Sequence, residues 1–225
     1  MRTEYSNWRK LDNAALAFPL VTGENDTRVF RFYCQLKEEV DSDILQQALD
    51  RTMEKYPLFQ AVLRKGLFWF YLEHSHIRAL VKPETEPPCS RLYIPDKKSL
   101  LFQVSYYKER INFEVFHALT DGTGAMHFLQ ELVQNYLILA HPKENFPEIG
   151  RDKKTGRGNI EEDSFSQYYS SDIPKNREKK KAAVKLKGEK LVHSDMHISE
   201  VVLSVKEIHQ KARSYGVSIT VLLTA

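Results

Sequence analysis

The chain has 225 residues, of which 42% are hydrophobic and 28% charged, and its formal net charge is +3. This composition is ordinary for a soluble globular protein and excludes collagen-like and wholly disordered chains. No apolar run reaches the roughly 18 residues of a transmembrane helix, and the polar residues 1–10 do not resemble a signal peptide. The chain has two cysteines, Cys34 and Cys89, so we expect no disulfide framework, no metal site and a reducing cytoplasm.

The first half of the chain alternates between strand and helix signals. Apolar and polar side chains alternate over residues 27–36, which predicts a half-buried strand. An apolar stripe at helical spacing predicts a helix over residues 41–56, with Asp41 or Asp43 as its cap and Pro57 at its end.

Further apolar runs predict four short strands that pair as two hairpins, 59–64 with 67–73 and 100–107 with 111–117. The first hairpin turns at Lys65-Gly66, and a Pro-rich connector over residues 83–95 separates it from the second. Residues 121–140 carry the strongest helical periodicity in the chain.

The end of the chain predicts a strand over residues 196–205, followed by two helices. Ser204 and Glu207 form a capping box for the first helix, which Gly216 ends. Ser218 would cap the second helix, which runs about two turns to the last residue without a cap. Two interpretations remain open, a frayed terminal turn or a longer protein cut inside a helix, and we favour the second.

The basic character of the chain belongs to one segment. Residues 151–190 hold twelve Lys or Arg and seven Asp or Glu, a net of +5, whereas the other 185 residues hold twenty-one and twenty-three, a net of −2. The segment has no clean periodicity, so we interpret it as a long exposed loop. A solvated linker and a site for a polyanion both fit, but no nucleic-acid-binding motif accompanies it, and we do not expect nucleic acid as a partner.

Together these elements predict an α/β fold, a two-layer sandwich of a mixed, partly antiparallel sheet with packed helices. Residues 1–149 would form the main part of the domain and residues 150–190 the basic loop. Residues 191–225 would hold a strand, a helix and the start of a truncated helix that leads towards a further C-terminal domain.

The segment His-Ala-Leu-Thr-Asp-Gly places a histidine where a strand ends and a helix begins. His117 would share a strand face with apolar residues, and a neutral imidazole there can accept a proton from a hydroxyl or an amine. Asp121 can hold the shape of this loop or cap the following helix, with Gly122 easing the turn. A histidine with a purely structural role remains an equal alternative on these residues alone.

This segment resembles the His-x-x-x-Asp-Gly motif of the coenzyme A-dependent acyltransferase superfamily. That superfamily includes chloramphenicol acetyltransferase, alcohol acetyltransferases and the condensation domains of nonribosomal peptide synthetases. Residues 8–12, 45–58 and 161–165 are similar to the alcohol acetyltransferase and condensation-like branch. The resemblance implies half of a chloramphenicol acetyltransferase-like fold, with the active site in a tunnel between two such halves.

The resemblance also implies roles and partners. His117 would be the general base that activates an acyl acceptor, Asp121 would be structural and paired to Arg28 or Arg31, and Gly122 would keep the approach to the histidine open. An acyl thioester, expected to be acyl-CoA, would be the co-substrate, and a small alcohol or amine the acceptor. The family's second half is missing, so we expect the chain to be an N-terminal half with little activity alone.

Two alternatives stay open within this resemblance. One is a carrier-protein-dependent condensation enzyme, but such domains usually have a second histidine directly before the motif histidine, where this chain has Phe116. The other is a non-catalytic binding module that keeps the fold and has lost the chemistry.

Overall fold

The computed structural model describes residues 8–67, 69–147, 188–189 and 198–224. The chain divides into two compact units, Met1–Ser194 and Asp195–Ala225. The basic segment lies almost wholly outside the described residues, so the interpretation of residues 150–190 as a loop stays a prediction. None of the helices in the described ranges is long and apolar enough to cross a membrane.

In the described part of the first unit the strands and helices follow in this order: β1 (Trp8–Lys10), α1 (Ala17–Val21), β2 (Val29–Gln35), α2 (Ser42–Lys55), a 3-10 turn (Pro57–Phe59), β3 (Ala61–Lys65), β4 (Phe70–His74), β5 (Val81–Pro83), β6 (Phe102–Tyr107), β7 (Arg110–Phe116) and α3 (Gly122–Ala140). The second unit contains two described helices, α4 (Val205–Ser214) and α5 (Ile219–Thr224).

The strands of the described ranges form two sheets rather than the single mixed sheet that the sequence predicts. One has three antiparallel strands in the order β1-β4-β3, and the other has four strands in the order β2-β7-β6-β5. Strand β5 runs parallel to β6, while the remaining pairs of the larger sheet are antiparallel. The predicted α/β class with a mixed, partly antiparallel sheet is therefore confirmed.

Both predicted hairpins and both long predicted helices of this unit are confirmed. The hairpin β3–β4 turns between Lys65 and Phe70, which are the last pair in its register. Asp41 caps α2 as expected, since its Oδ1 accepts hydrogen bonds from the backbone N–H groups of Asp43 at 2.9 Å and Ile44 at 3.0 Å.

The core lies between the four-stranded sheet and the helices. Its centre is a cluster of phenylalanine rings from three kinds of element, the 3-10 turn, the strands and α3. Phe128 of α3 stacks on Phe59 at a centroid distance of 4.4 Å and on Phe113 of β7 at 4.7 Å. Helix α2 packs beside α3. Burying rings of this size is the main stabilising term, so the core holds β7 firmly against α3.

The strand predicted over residues 196–205 is wrong in its described part. Residues 198–204 form no strand, and Val205 already begins α4. Large apolar side chains in this stretch are exposed, Val202 completely so. A strand needs a neighbour that pairs with its backbone N–H and C=O groups, and the apolar run alone cannot supply one.

The predicted helix boundaries in the second unit are confirmed. The Ser204 hydroxyl caps α4 by accepting the Glu207 N–H at 3.5 Å. Gly216 has a φ of +66°, and the following Val217 N–H reaches back to the Ala212 carbonyl at 3.0 Å. This left-handed residue and the long return bond form a Schellman motif, which explains why the helix ends at a glycine.

Candidate active site

His117 directly follows the last residue of β7 and begins the connection to α3. Its backbone N–H donates a hydrogen bond of 2.9 Å to the carbonyl oxygen of Arg28, just before β2. This bond continues the antiparallel pairing of β2 and β7 by one step, since Val29 is opposite Phe116. The main chain at His117 is therefore held by the sheet rather than by the loop alone.

Two aromatic rings enclose the His117 imidazole. Phe18 of α1 stacks on it with a centroid distance of 4.3 Å and an interplanar angle of 14°, and Phe30 of β2 lies at 4.9 Å and 57°. The side chain is half-buried, and within the described residues neither ring nitrogen has a hydrogen-bond partner. Among the described residues, aromatic packing alone thus orients the ring.

Phe18 belongs to this site although no sequence pattern indicates it. Its helix α1 has only five residues and includes Pro19, so it shows no periodic pattern. The turn that leads into this helix is built by Asp12, whose carboxylate accepts the Ala15 N–H at 2.6 Å and whose carbonyl accepts the Leu16 N–H at 3.1 Å. The sequence feature that could have indicated this helix is Asp12, which lies within the segment 8–12 that carries the family resemblance.

Asp121 caps α3. Its Oδ1 accepts the backbone N–H of Gly124 at 2.8 Å, and its extended backbone is typical of an N-cap residue. The ion pair expected between Asp121 and Arg28 or Arg31 is not found. Arg28 instead pairs with Asp26 at 2.7 Å, and Arg31 pairs with Glu84 and Glu114. The Asp121 carboxylate therefore binds the backbone of its own helix and not an arginine of β2 or the residue before it.

Replacing Asp121 by alanine should lower the free energy of unfolding by about 0.5–2 kcal/mol, because one helix N–H loses its acceptor. Asp121→Asn should stay close to wild type, since an amide oxygen caps as well as a carboxylate. Urea unfolding monitored by circular dichroism measures both, with Thr123→Ala in the same exposed turn as the control. If Asp121→Asn loses as much as Asp121→Ala, the charge and not the cap is what matters.

The two glycines after Asp121 differ in the space around them. An added Cβ at Gly122 would meet only Phe32 Cζ, at 3.9 Å, which is ordinary contact. An added Cβ at Gly124 would collide with the Thr120 hydroxyl. Of these two positions, only Gly124 has no room for a larger side chain. The role predicted for Gly122 in keeping the approach to His117 open stays a prediction.

A buried charge cluster lies on the opposite face of β7 from His117. Glu114, three residues earlier and 3% exposed in its side chain, pairs with Arg31 of β2 at 2.8 Å. Arg31 also pairs with Glu84 at 2.5 Å. Burial by itself would lower the pKa of Arg31, but its bonds and charge attraction to Glu84 and Glu114 outweigh this and raise the pKa. Arg31 therefore stays charged beneath the sheet.

This cluster attaches the connector before β6 to the sheet. The Cys89 N–H donates to Glu114 at 2.6 Å, and the Cys89 carbonyl accepts the Thr27 hydroxyl at 2.7 Å. Burial raises the pKa of the Cys89 thiol, and the charge of Glu114 adds to that effect. Alternation predicts a single buried face for β7 and so does not indicate Glu114, whereas both faces of the strand are buried.

His74 and His76 lie two positions apart at the end of β4. Their rings meet edge to face at 5.4 Å. Across the described ranges, no group of three or more His, Cys, Asp or Glu is arranged to hold a metal ion.

Solved structures with a similar fold include condensation domains. The starter condensation domain of the rhizomide synthetase RzmA matches 63% of the chain with a TM-score of 0.51 at 12% identity, and the match covers 40% of that domain. A variant of the same domain in complex with C8-CoA matches 60% of the chain with a TM-score of 0.51 at 11% identity, over 37% of its length.

The first condensation domain of the calcium-dependent antibiotic synthetase, in complex with substrate analogue 2a, matches 68% of the chain with a TM-score of 0.50 at 14% identity, over 43% of its length. No protein-family model matches the sequence, and no curated protein matches it. The chain thus shares the fold of these condensation domains over less than half of their length, which confirms the resemblance at the level of the fold.

Proposed function

We propose that this chain forms part of an acyltransferase that moves an acyl group from a thioester to an alcohol or amine, with His117 as the general base. The observation that carries the proposal is the His117 side chain, which lies at a strand end between two aromatic rings with no hydrogen-bond partner in the described residues. A base needs a free lone pair, and a group that is oriented by packing alone keeps one.

The reaction would balance as follows. A nitrogen of His117 takes the proton of the acceptor hydroxyl or amine while the acceptor oxygen or nitrogen bonds to the thioester carbonyl carbon. The tetrahedral adduct then collapses, the carbon–sulfur bond breaks, and the imidazolium returns its proton to the leaving thiolate. The products are an ester or amide and a free thiol, and His117 ends neutral.

We propose free acyl-CoA as the donor. The residue before His117 is Phe116, which is fully buried and stacks on Tyr93 at 5.5 Å. It fills the core where carrier-dependent condensation domains usually have a second histidine. A neighbour of the same fold is known in complex with C8-CoA, and this supports a coenzyme A thioester as the ligand class.

The direct test is thiol release. The natural full-length protein is mixed with acyl-CoA of several chain lengths and with alcohols or amines, and free coenzyme A is measured with a thiol reagent. We expect release that depends on the acceptor, and little release by the 225-residue chain alone. Full-length protein that binds acyl-CoA without releasing thiol for any acceptor would favour a non-catalytic module of this fold.

Phe18 should matter for turnover rather than for binding. Because an aromatic stack contributes about 0.5–1.5 kcal/mol, we expect Phe18→Leu to lower kcat about 2–10-fold with little change in KM, while Phe18→Tyr retains most of it. Phe146→Leu is the matched control, since Phe146 packs beside His141 at 6.2 Å. A change in KM alone would mean that Phe18 contacts substrate and does not orient the base.

A further inference from the structure

Arg28, whose carbonyl oxygen holds the His117 main chain, has an unusual backbone conformation. Its φ is +53°, in the left-handed region that favours glycine. A residue with a side chain persists there only where surrounding contacts hold the backbone in place. The ion pair from Arg28 to Asp26 is exposed at both ends, so it contributes little to this. The contacts come instead from the preceding residue, Thr27, which is buried.

The Thr27 hydroxyl joins two segments of the chain. It donates a hydrogen bond of 2.7 Å to the Cys89 carbonyl and accepts one of 3.3 Å from the Val29 N–H. A hydroxyl can do both at once, because it has one donor and two acceptor lone pairs. The bond from Val29 spans Arg28 and closes a turn around it, while the bond to Cys89 attaches this turn to the connector before β6. A single buried hydroxyl therefore holds the left-handed backbone of Arg28.

Cys89 is itself attached to β7. Its φ is +58°, also left-handed, and its N–H donates to Glu114 at 2.6 Å. Glu114 lies on β7, three residues before His117. Hydrogen bonds therefore lead from β7 through Cys89 and Thr27 back to the end of the same strand. Such a closed path restricts movement of the His117 main chain.

Thr27 is also connected to the helix that carries Phe18. Its carbonyl oxygen accepts the Thr22 hydroxyl at 3.0 Å. Thr22 is the C-cap residue of α1, and its N–H donates to the Phe18 carbonyl at 3.0 Å. The main chains of both stacked residues, Phe18 and His117, are thus connected to the turn at Thr27 by one or two hydrogen bonds.

We propose that Thr27 is a positioning residue for His117. Its hydroxyl fixes the turn whose carbonyl holds the His117 main chain, and its own carbonyl fixes the helix from which Phe18 meets the imidazole. A small misplacement of a catalytic group lowers a rate steeply, because the reacting atoms must be aligned. The inference rests on the proposed role of His117 as general base.

The activity test uses three substitutions in the natural full-length protein. Thr27→Val keeps the shape of the side chain but removes the hydroxyl, so kcat should fall about 10-fold while KM for acyl-CoA stays nearly unchanged. Thr27→Ser keeps the hydroxyl and should retain most of kcat. Thr52→Val is the matched control, because Thr52 is also buried and its hydroxyl donates to the Ala48 carbonyl at 2.8 Å within α2.

A spectroscopic readout in the same protein does not depend on activity. Because Phe18 stacks on His117, its ring current moves the NMR signals of the imidazole C–H protons upfield. The variant His117→Ala assigns these signals, and Phe18→Leu calibrates the whole effect. We expect Thr27→Val to lose a clear part of the upfield shift, and Thr27→Ser and Thr52→Val to keep it. Thr22→Val, which removes only the bond to the Thr27 carbonyl, should also lose part of it and replaces Thr27→Val if that variant does not fold.

Three results would overturn the proposal. They are a wild-type upfield shift in Thr27→Val, equal losses of kcat in Thr27→Val and Thr27→Ser, and equal losses of kcat in Thr27→Val and Thr52→Val. The last result would mean that kcat follows general stability. A full-length protein without transfer to any acceptor would contradict the proposed function, and the upfield shift would then still decide whether Thr27 positions His117.

Discussion

Replacing His117 by alanine in the natural full-length protein should lower acyl transfer about 10²–10⁴-fold, which is the usual contribution of a general base. The loss should appear in kcat, with KM for acyl-CoA nearly unchanged, because the imidazole acts on the acceptor proton during the reaction. The backbone bond from residue 117 to the Arg28 carbonyl does not depend on the side chain, so the fold should survive the substitution.

The matched control for this experiment is His76→Ala. His76 is exposed, follows β4 by two residues and contacts His74. Its activity should equal wild type. Thermal unfolding of both variants checks that neither loses its fold. If His117→Ala keeps activity within a few-fold of wild type, the residue is structural and the base must be sought elsewhere.

The second large effect concerns stability. Arg31→Ala should lower the free energy of unfolding by about 3–5 kcal/mol, because Glu114 would stay buried without its cation and the half-buried Glu84 would lose the same partner. For a chain of this size that corresponds to a fall in Tm of about 6–20 °C. The side chains of Arg31 and Glu114 are 11% and 3% exposed, so solvent cannot replace the lost partner.

An exposed ion pair in the same chain provides the comparison. Arg78 pairs with Asp50 at 2.6 Å, but the two side chains are 65% and 41% exposed. Water and salt screen such a pair, so Arg78→Ala should change stability little. Guanidinium unfolding of the two variants side by side measures the difference, and equal losses would contradict the view that burial makes the Arg31 cluster essential.

The sequence was informative wherever a signal is local. Asp41 could be identified as a cap because its acceptor oxygen and the donating N–H groups are two and three residues apart. Gly216 ended its helix for a similar reason, since a left-handed backbone favours glycine whatever the tertiary contacts. The same holds for the motif itself, where His117 and Asp121 lie at a strand end and a helix start as the pattern predicts.

Strands could not be predicted where the strand that pairs with them is distant in sequence. The stretch 198–204 has strand-like side chains but no strand to pair with in the described residues, while the three residues of β5 form a strand because β6 lies beside them. Propensity describes how a side chain fits a sheet and cannot say whether a sheet is there.

By itself the sequence determined the α/β class, the long helices and hairpins, and the position of the candidate base. Tertiary structure alone decided what surrounds that base, namely the Phe18 ring that stacks on His117 and the Arg31 cluster behind the same strand. Arg31 meets Glu84 and Glu114 across 53 and 83 positions of sequence. Contacts over such separations depend on how sheets and helices pack, and no short-range periodicity or capping pattern encodes them.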